Sequence, residues 1–354
     1  MKSAPEEGLL TERDRVILKD VIVSYILSAE PVSSRAVAKR GGLGLSAASI
    51  RNVMADLEEL GFLSQPHSSA GRVPTPKAYH LYIRSMMDEP AVSSSERRYI
   101  DENLASESKD ADELMAAASQ LLSELTHQVG VVLTPALAET VLKTIDFVPL
   151  SERKVLCVVV STSGFVDNKV ILTREPVARE DLVRISNYLT ENFAGLALRE
   201  VRNRILGMMA EERAQVDRLL AQTIRLAKAG LSLSDYPEIL VEGAQEVLQQ
   251  PELSDIARIR CLFDTFADKA RLVFLLTQCM EGHGVRVVIG DESDVTSALD
   301  FSLVTSAYGS EGRVLGALGI FGPSRMEYQR VIPLVDYLGE RLSQALAATF
   351  AADA

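Results

Sequence analysis

The chain contains no tryptophan and only three cysteines, Cys157, Cys261 and Cys279, in 354 residues. They are odd in number, widely spaced and form no C-x-x-C pair, which argues against a disulfide framework or a structural zinc site and leaves reduced, mostly buried thiols as the expectation. No apolar run approaches the roughly 18 residues that a membrane span needs. The first stretch, "MKSAPEEGLLTERDRVILKD", has no long apolar segment before its charges, so a cytoplasmic protein is expected. Catalytic signatures are equally scarce: there is no G-x-x-x-x-G-K-[ST], H-E-x-x-H or G-x-S-x-G, and "GGLGL" opens a helix without a preceding strand. Neither an enzyme, a metal site nor a bound cofactor is indicated.

What the chain does have is acid, with a formal net charge of −12. The acid is unevenly placed. Residues 1–89 carry eleven Lys plus Arg against eleven Asp plus Glu, so the remainder, with 26 basic and 38 acidic residues, accounts for the whole imbalance. Within residues 31–87 the balance is +4, from Arg35, Lys39, Arg40, Arg51, Arg72, Lys77 and Arg84 against Asp56, Glu58 and Glu59. Salt screens exposed charges beyond about 8–10 Å, so this basic module can meet a polyanion although the whole chain is acidic.

The module reads as three helices and a hairpin. Helical spacing runs from about Thr11 to Ser28, Ser34 is placed to cap a short helix through about Arg40, and glycines in "GGLGL" end it. Ser46 is placed to cap a third helix with an apolar stripe of Ile50, Val53, Met54, Leu57 and Leu60, ending at Gly61. "FLSQ" and "RVP", joined across "SSAG", make a hairpin that Pro74 and Pro76 close, and a further helix spans about Lys77 to Met87.

"DEPAVSSSERR" reads as a linker. Beyond it come a helix from Asp110 to Val129, strands in "TVLKTIDFVPL", "KVLCVVVS" and "FVDNKVILT", and a charged, mostly helical interruption from Arg179 to Ala229. "EILVEG", a helix near Ala244 to Gln250, a helix from Ile256 to Met280, strands in "VRVVIG", "FSLVTSAYG" and "VLGALGIFG", and a last helix from Tyr328 to about Ala347 complete it. Without β-α-β alternation, the fold class is α+β and the size multidomain.

A third helix that follows a short turn and precedes a hairpin is the arrangement of a winged helix-turn-helix, in which that helix enters the major groove. With the apolar stripe inward, a 100° step turns Ala48, Asn52, Ala55 and Glu59 outward, flanked by Ser49 and Arg51. Asn pairs with adenine and Arg with guanine, so Asn52 and Arg51 are the expected base readers, while Ser46 and Ser49 suit phosphate at a helix N-terminus. In the hairpin, Arg72, beside Gly71 and near His67 and Ser69, is placed to reach backbone or minor groove, with Lys77 and Tyr79 close behind. A solvated hairpin tip explains Arg72 as readily, and a small basic helical module also suits a protein partner.

"VSSRAVAKRGGLGLSAASIRNVMADLEELGFLSQPHSSAGRVPTPKAYHLYI" resembles the N-terminal domain of the HrcA family of heat-inducible transcription repressors, above all in "SIRNVMADLEELGFL" and "PHSSAGRVPT". The closing part, from "GVRVVIGDES" to "GPSRMEYQRVIPLVDYL", resembles that family's closing segment in the same order. Ala47 stands where the family often has Pro, and Ala78 where Gly is common. The resemblance implies a winged-helix DNA-binding domain (1–89), a GAF-like domain in two parts (90–178 and 251–354) and an inserted dimerisation domain (179–250). It also implies a homodimer on a double-stranded inverted-repeat operator of the CIRCE type upstream of chaperonin and Hsp70-system operons, with repression dependent on a GroEL-type chaperonin.

Other residue groupings have plainer accounts. Cys279 and His283 suggest a core thiol and a surface imidazole, "GDESD" an exposed turn, and Ser324 with Glu327 in "GPSRMEY" a capping box. Two alternatives stay open: a repressor that senses a metabolite through the GAF-like domain, and a protein-interaction module with no DNA role.

Overall fold

A computed structural model describes residues 10–40, 44–67, 70–87, 91–104, 110–135, 140–162, 166–173, 175–211, 223, 226–227, 238–248, 250–253, 256–267, 269–280, 284–290, 300–310 and 313–352. The chain opens with three helices, α1 (Glu12–Ser28), α2 (Ser34–Arg40) and α3 (Ala47–Glu59). A hairpin of β1 (Leu63–Ser64) and β2 (Val73–Pro74) follows, and then α4 (Pro76–Ser85). A capping box starts α1, because the Thr11 N–H donates to the Asp14 carboxylate at 2.9 Å while the Asp14 N–H donates back to the Thr11 hydroxyl. Helix α2 is capped one residue earlier than expected: the Ala36 N–H donates to the Ser33 hydroxyl, and Ser34 is buried. The hairpin is pinned to the chain before α2 by a backbone bridge in which Val32 and Arg72 exchange N–H···O bonds of 2.9 Å each way. Gly71 permits that crossing, since a Cβ there would lie 2.4 Å from the Val32 carbonyl oxygen.

The expected linker is shorter than its composition suggests. Helix α5 (Ser94–Leu104) starts inside it, because Ser93 and Glu96 bond reciprocally and cap it. Next, α6 (Ala111–Thr126), capped by Asp110 with Glu113, is followed by β3 (Val129–Leu133), a strand that begins where the expected helix ends and for which the sequence pattern gives no expectation. Strands β4 (Leu142–Ser151), β5 (Lys154–Ser161) and β6 (Val166–Leu172) precede α7 (Arg179–Phe193) and α8 (Leu198–Glu211). Then come β7 (Ile239–Glu242), α9 (Ala244–Val247), α10 (Ile256–Ala267), α11 (Lys269–Cys279), β8 (Arg286–Ile289), β9 (Phe301–Ser310), β10 (Arg313–Pro323) and α12 (Tyr328–Ala352). The helix expected over Ile256–Met280 is described on either side of residue 268, as α10 and α11, and the capping box expected of Ser324 is replaced by a buried network. There the Ser324 hydroxyl donates to the Asp300 carbonyl at 2.8 Å and accepts from Ser302.

The strands divide between sheets differently from the expected partition at residue 179. Strands β4, β5 and β6 form a three-stranded sheet of their own, and β7-β3-β10-β9-β8 form a separate five-stranded antiparallel sheet. The core of the smaller sheet joins Ile145, Phe147, Val155 and Cys157 to Leu182, Ile185 and Leu189 of α7 and to Val201 and Ile205 of α8. The Phe147 N–H donates to the buried Ser186 hydroxyl at 3.0 Å, tying α7 to β4. This unit therefore starts near residue 140, well ahead of residue 179.

Both faces of the five-stranded sheet are covered. Val129, Val131, Leu133, Phe301 and Phe321 face Leu272, Leu276 and Cys279 of α11. Val132, Val304, Leu318 and Ile320 face α6 and α12, and this second core runs on without a break into the N-terminal helices. At Gly130 a Cβ would meet the Ser119 carbonyl oxygen at 2.0 Å, so glycine lets α6 lie directly on β3. Among the described residues no helix is long and apolar enough to cross a membrane, and no three His, Cys, Asp or Glu side chains could hold a metal ion together.

Burial sets the order of thiol reactivity. Cys157 is 1% exposed and burial pushes its thiol up to about 12, and Cys279 is also buried, whereas Cys261 is partly exposed. A thiol reagent at mildly alkaline pH is expected to label Cys261 first and Cys157 only on unfolding, which peptide mass spectrometry of a labelling time course would check.

Candidate nucleic-acid interface

The N-terminus of α3 is the best-built polar surface of the basic module. Ser46 caps it, its hydroxyl accepting from the Ser49 N–H at 3.1 Å and lying 3.0 Å from the Ser49 hydroxyl. Ile50, Val53, Met54 and Leu57 are buried against the neighbouring helices, while Gly61, at φ +76°, lets the chain leave. That packing fixes the rotation of the helix. Ser46, Ala48, Arg51 and Asn52 are exposed and Ser49 half-buried, and neither Arg51 nor Asn52 bonds to any described residue. Unspent donors therefore sit at the positive end of a helix dipole, a chemistry that suits an anion and a base edge.

The acids of α3 fall beyond this surface, and one of them has a structural partner. Arg72 donates to the Glu58 carboxylate at 2.8 Å, with the two side chains 19% and 34% exposed. It thus braces the hairpin against the second half of α3 and does not extend from the tip. Lys77 is likewise turned inward: its ammonium donates to the Leu60 carbonyl at 3.2 Å, at the end of α3, and lies 4.6 Å from the Phe62 ring centroid. Tyr79 is 2% exposed and packs on Tyr328, with burial and the neighbouring Tyr328 and Tyr25 holding its hydroxyl pKa well above the usual range. Its ring therefore faces the interior and not a groove.

The hairpin tip is held by Gln65, whose side-chain N–H donates to the Ala70 carbonyl at 3.0 Å, and by the Ala70 N–H donating to the His67 carbonyl at 2.8 Å. The His67 side chain is exposed, Gly71 is committed to the Val32 crossing, and Ser69 lies outside the described residues. Arg35 and Lys39, counted in the sequence only as charge, are exposed four residues apart on α2, which packs on α3. Their spacing, one turn of one helix face, is the signal that marks them out.

Arg72→Ala is expected to cost about 1–2 kcal/mol of stability by leaving Glu58 and the hairpin unbraced. Arg72→Lys, which keeps the charge but not the planar fork, should restore only part of it. Thermal denaturation of both variants measures this.

A family model described as the HrcA protein C-terminal domain matches residues 112–332. Over 337 residues the chain is 42% identical to a heat-inducible transcription repressor HrcA of Geobacter sulfurreducens, covering 95% of this chain and 98% of that protein. It is 40% identical to the protein of that name from Xylella fastidiosa, over 95% of this chain and 96% of the relative. The corresponding Xanthomonas campestris protein is 39% identical over 97% and 98% of the two chains. A crystal structure described as that of a hypothetical protein at 2.2 Å resolution aligns with 97% of this chain and 99% of its own, with a TM-score of 0.62 and 25% identity.

Proposed function

The chain belongs to the HrcA family of heat-inducible transcription repressors, which are not enzymes, and from that premise we propose that it represses chaperone operons by binding an inverted-repeat operator as a homodimer. The N-terminal module is a winged helix, α3 is its reading helix, and the hairpin is its wing. The observation that carries this reading is the N-terminal face of α3, where Arg51 and Asn52 stand exposed and uncommitted on a helix whose rotation is locked by buried Ile50, Val53, Met54 and Leu57. In this assignment Arg51 and Asn52 read bases, and the α3 N-terminus with Ser46 and Ser49 takes a phosphate. Ala48 allows close approach to the groove floor, and His67, Arg35 and Lys39 meet backbone. Arg72 and Lys77 position the wing, and Tyr79 is left out of the interface.

The five-stranded unit is the GAF-like domain, and the three-stranded sheet with α7 and α8 is the inserted dimerisation domain. The outer face of that sheet supports dimerisation. Val148, Leu156 and Val170 lie in register across its three strands, and Val160 pairs with Val166 further along the same face, beyond the row of Asp146, Val158 and Asn168. Val148, Val166, Val170 and Leu172 are about half exposed or more, an apolar stripe that a second copy would cover. A twofold protein of this kind matches a twofold operator.

Fluorescence-anisotropy titrations of an inverted-repeat duplex and a scrambled one, at several salt concentrations, test the proposal. Specific binding at least about 1,000-fold tighter than to scrambled DNA, weakening steeply with salt, is the expected result. Equal affinity for both duplexes, or no dependence on salt, would sink it. Adding GroEL-type chaperonin to the same titration should raise the active fraction, and a metabolite having that effect in its place would favour ligand sensing.

A further inference from the structure

The "GPSRMEY" segment joins β10 to α12 and carries Arg325, which the reading of α3 leaves unused. One guanidinium nitrogen donates to the Ile26 carbonyl, in the last turn of α1, at 3.1 Å. Another donates to the Gln250 side-chain oxygen at 2.9 Å, and the group forms a two-pronged ion pair with Glu252. Arg325 and Glu252 are only 15% and 17% exposed, so the pair is shielded and directional. A cation at the carbonyl end of α1 also complements that helix dipole.

Two further contacts lie on the same side of the N-terminal module. The Tyr79 ring sits 5.7 Å from that of Tyr328, whose hydroxyl is fixed by the Ser324 carbonyl at 2.7 Å and the Ser302 hydroxyl at 3.0 Å. Gly290, at the end of β8, approaches Pro76 so closely that a Cβ would fall 2.8 Å from the proline ring. All three contacts engage α1 and α4, and the Ser46–Asn52 end of α3 stays exposed. They hold the module without covering its reading face, which makes the docking a positioning contact and not an autoinhibitory one.

We propose that Arg325 is a positioning residue: through Ile26, Gln250 and Glu252 it fixes the angle at which the body presents α3, and so sets the operator half-site spacing that the dimer accepts. This rests on the DNA-binding reading above. In a dimer joined through the bodies, a module free to pivot would tolerate many spacings, whereas a clamped one accepts a single helical phase. Lysine cannot replace the arginine fully, because a point charge does not reach the carbonyl, the amide and the carboxylate together in this fork geometry.

The test uses the full chain, as wild type, Arg325→Ala, Arg325→Lys and the milder Glu252→Gln. In the first arm, without DNA, hydrogen exchange of α1 and α4 amides is followed by mass spectrometry. Arg325→Ala and Glu252→Gln should each exchange faster there, by roughly tenfold for the alanine, with the α6 amides of the body unchanged. In the second arm, affinities are compared for a single half-site, the operator, and an operator whose spacer is lengthened by about half a helical turn, roughly 5 base pairs. Wild type should discriminate strongly against the lengthened spacer, and the variants should lose most of that discrimination while holding the single half-site as well as wild type does. Lysine should fall between wild type and alanine. Wild-type protection together with wild-type spacing discrimination in both Arg325→Ala and Glu252→Gln would overturn the proposal; should the alanine variant not fold, Glu252→Gln decides alone. If wild type shows no specific operator binding, the DNA reading fails, and the exchange arm still decides whether Arg325 clamps the module.

Discussion

Arg51→Ala and Asn52→Ala are each expected to lower specific operator affinity by about 1–3 kcal/mol, and to relax base preference at one position of each half-site while leaving scrambled-DNA binding little changed. The size follows from what the two side chains lack inside the protein. Neither bonds to a described residue and both are exposed, so truncation leaves no buried group unpaired and the folded state should lose less than about 0.5 kcal/mol. Arg35→Ala and Lys39→Ala should instead weaken specific and scrambled binding together and reduce the salt slope by about one per residue, as loss of a phosphate contact does. Anisotropy titrations of the four variants against both duplexes separate the two patterns.

Val148→Glu and Val170→Glu are expected to split the dimer and so to weaken operator binding by about 10²–10⁴-fold, since each module would then bind its half-site alone. The side chains are 46% and 53% exposed in the single chain, so a carboxylate there remains solvated in the monomer and is strongly disfavoured only once a second sheet covers it. Val148 and Val170 flank Leu156 on the two neighbouring strands, so either substitution puts the charge directly beside the central residue of the apolar row. Sedimentation equilibrium of the variants should show monomers with unchanged circular dichroism. Variants that remain dimeric with wild-type operator affinity would move the interface elsewhere.

The features legible in the sequence are those set by residues close together in the chain. The Ser46 cap, the Ile50–Leu57 stripe and the Gly61 exit lie within one helix and its ends, so periodicity and capping chemistry define α3 without reference to the rest of the fold. Arg72, Lys77 and Tyr79 show the opposite case. A basic or aromatic residue near a turn reads as an exposed contact, and only tertiary structure supplies Glu58, the Leu60 carbonyl and Tyr328 to draw each one inward. The sheets were illegible for the same reason. Nothing local tells β3 to pair with the distant β10 and β7, or sets β4–β6 apart as a sheet of their own. Ser93 and Ser324 show how far composition misleads about caps: the first starts a helix inside a Pro- and Ser-rich stretch, and the second bonds to Asp300 in place of its own helix.

The central claim, that the N-terminal end of α3 lies in the major groove of the operator, is tested most directly by site-specific photocrosslinking. A photoreactive side chain placed at Ala48, exposed at the capped end of α3, is compared with one at Glu59, exposed at the other end of the same helix. Crosslinks from position 48 to bases within each operator half-site, abolished on scrambled DNA and far weaker from position 59, are the predicted result. Crosslinking from position 59 but not 48, or from neither on an operator the protein binds, would contradict the account.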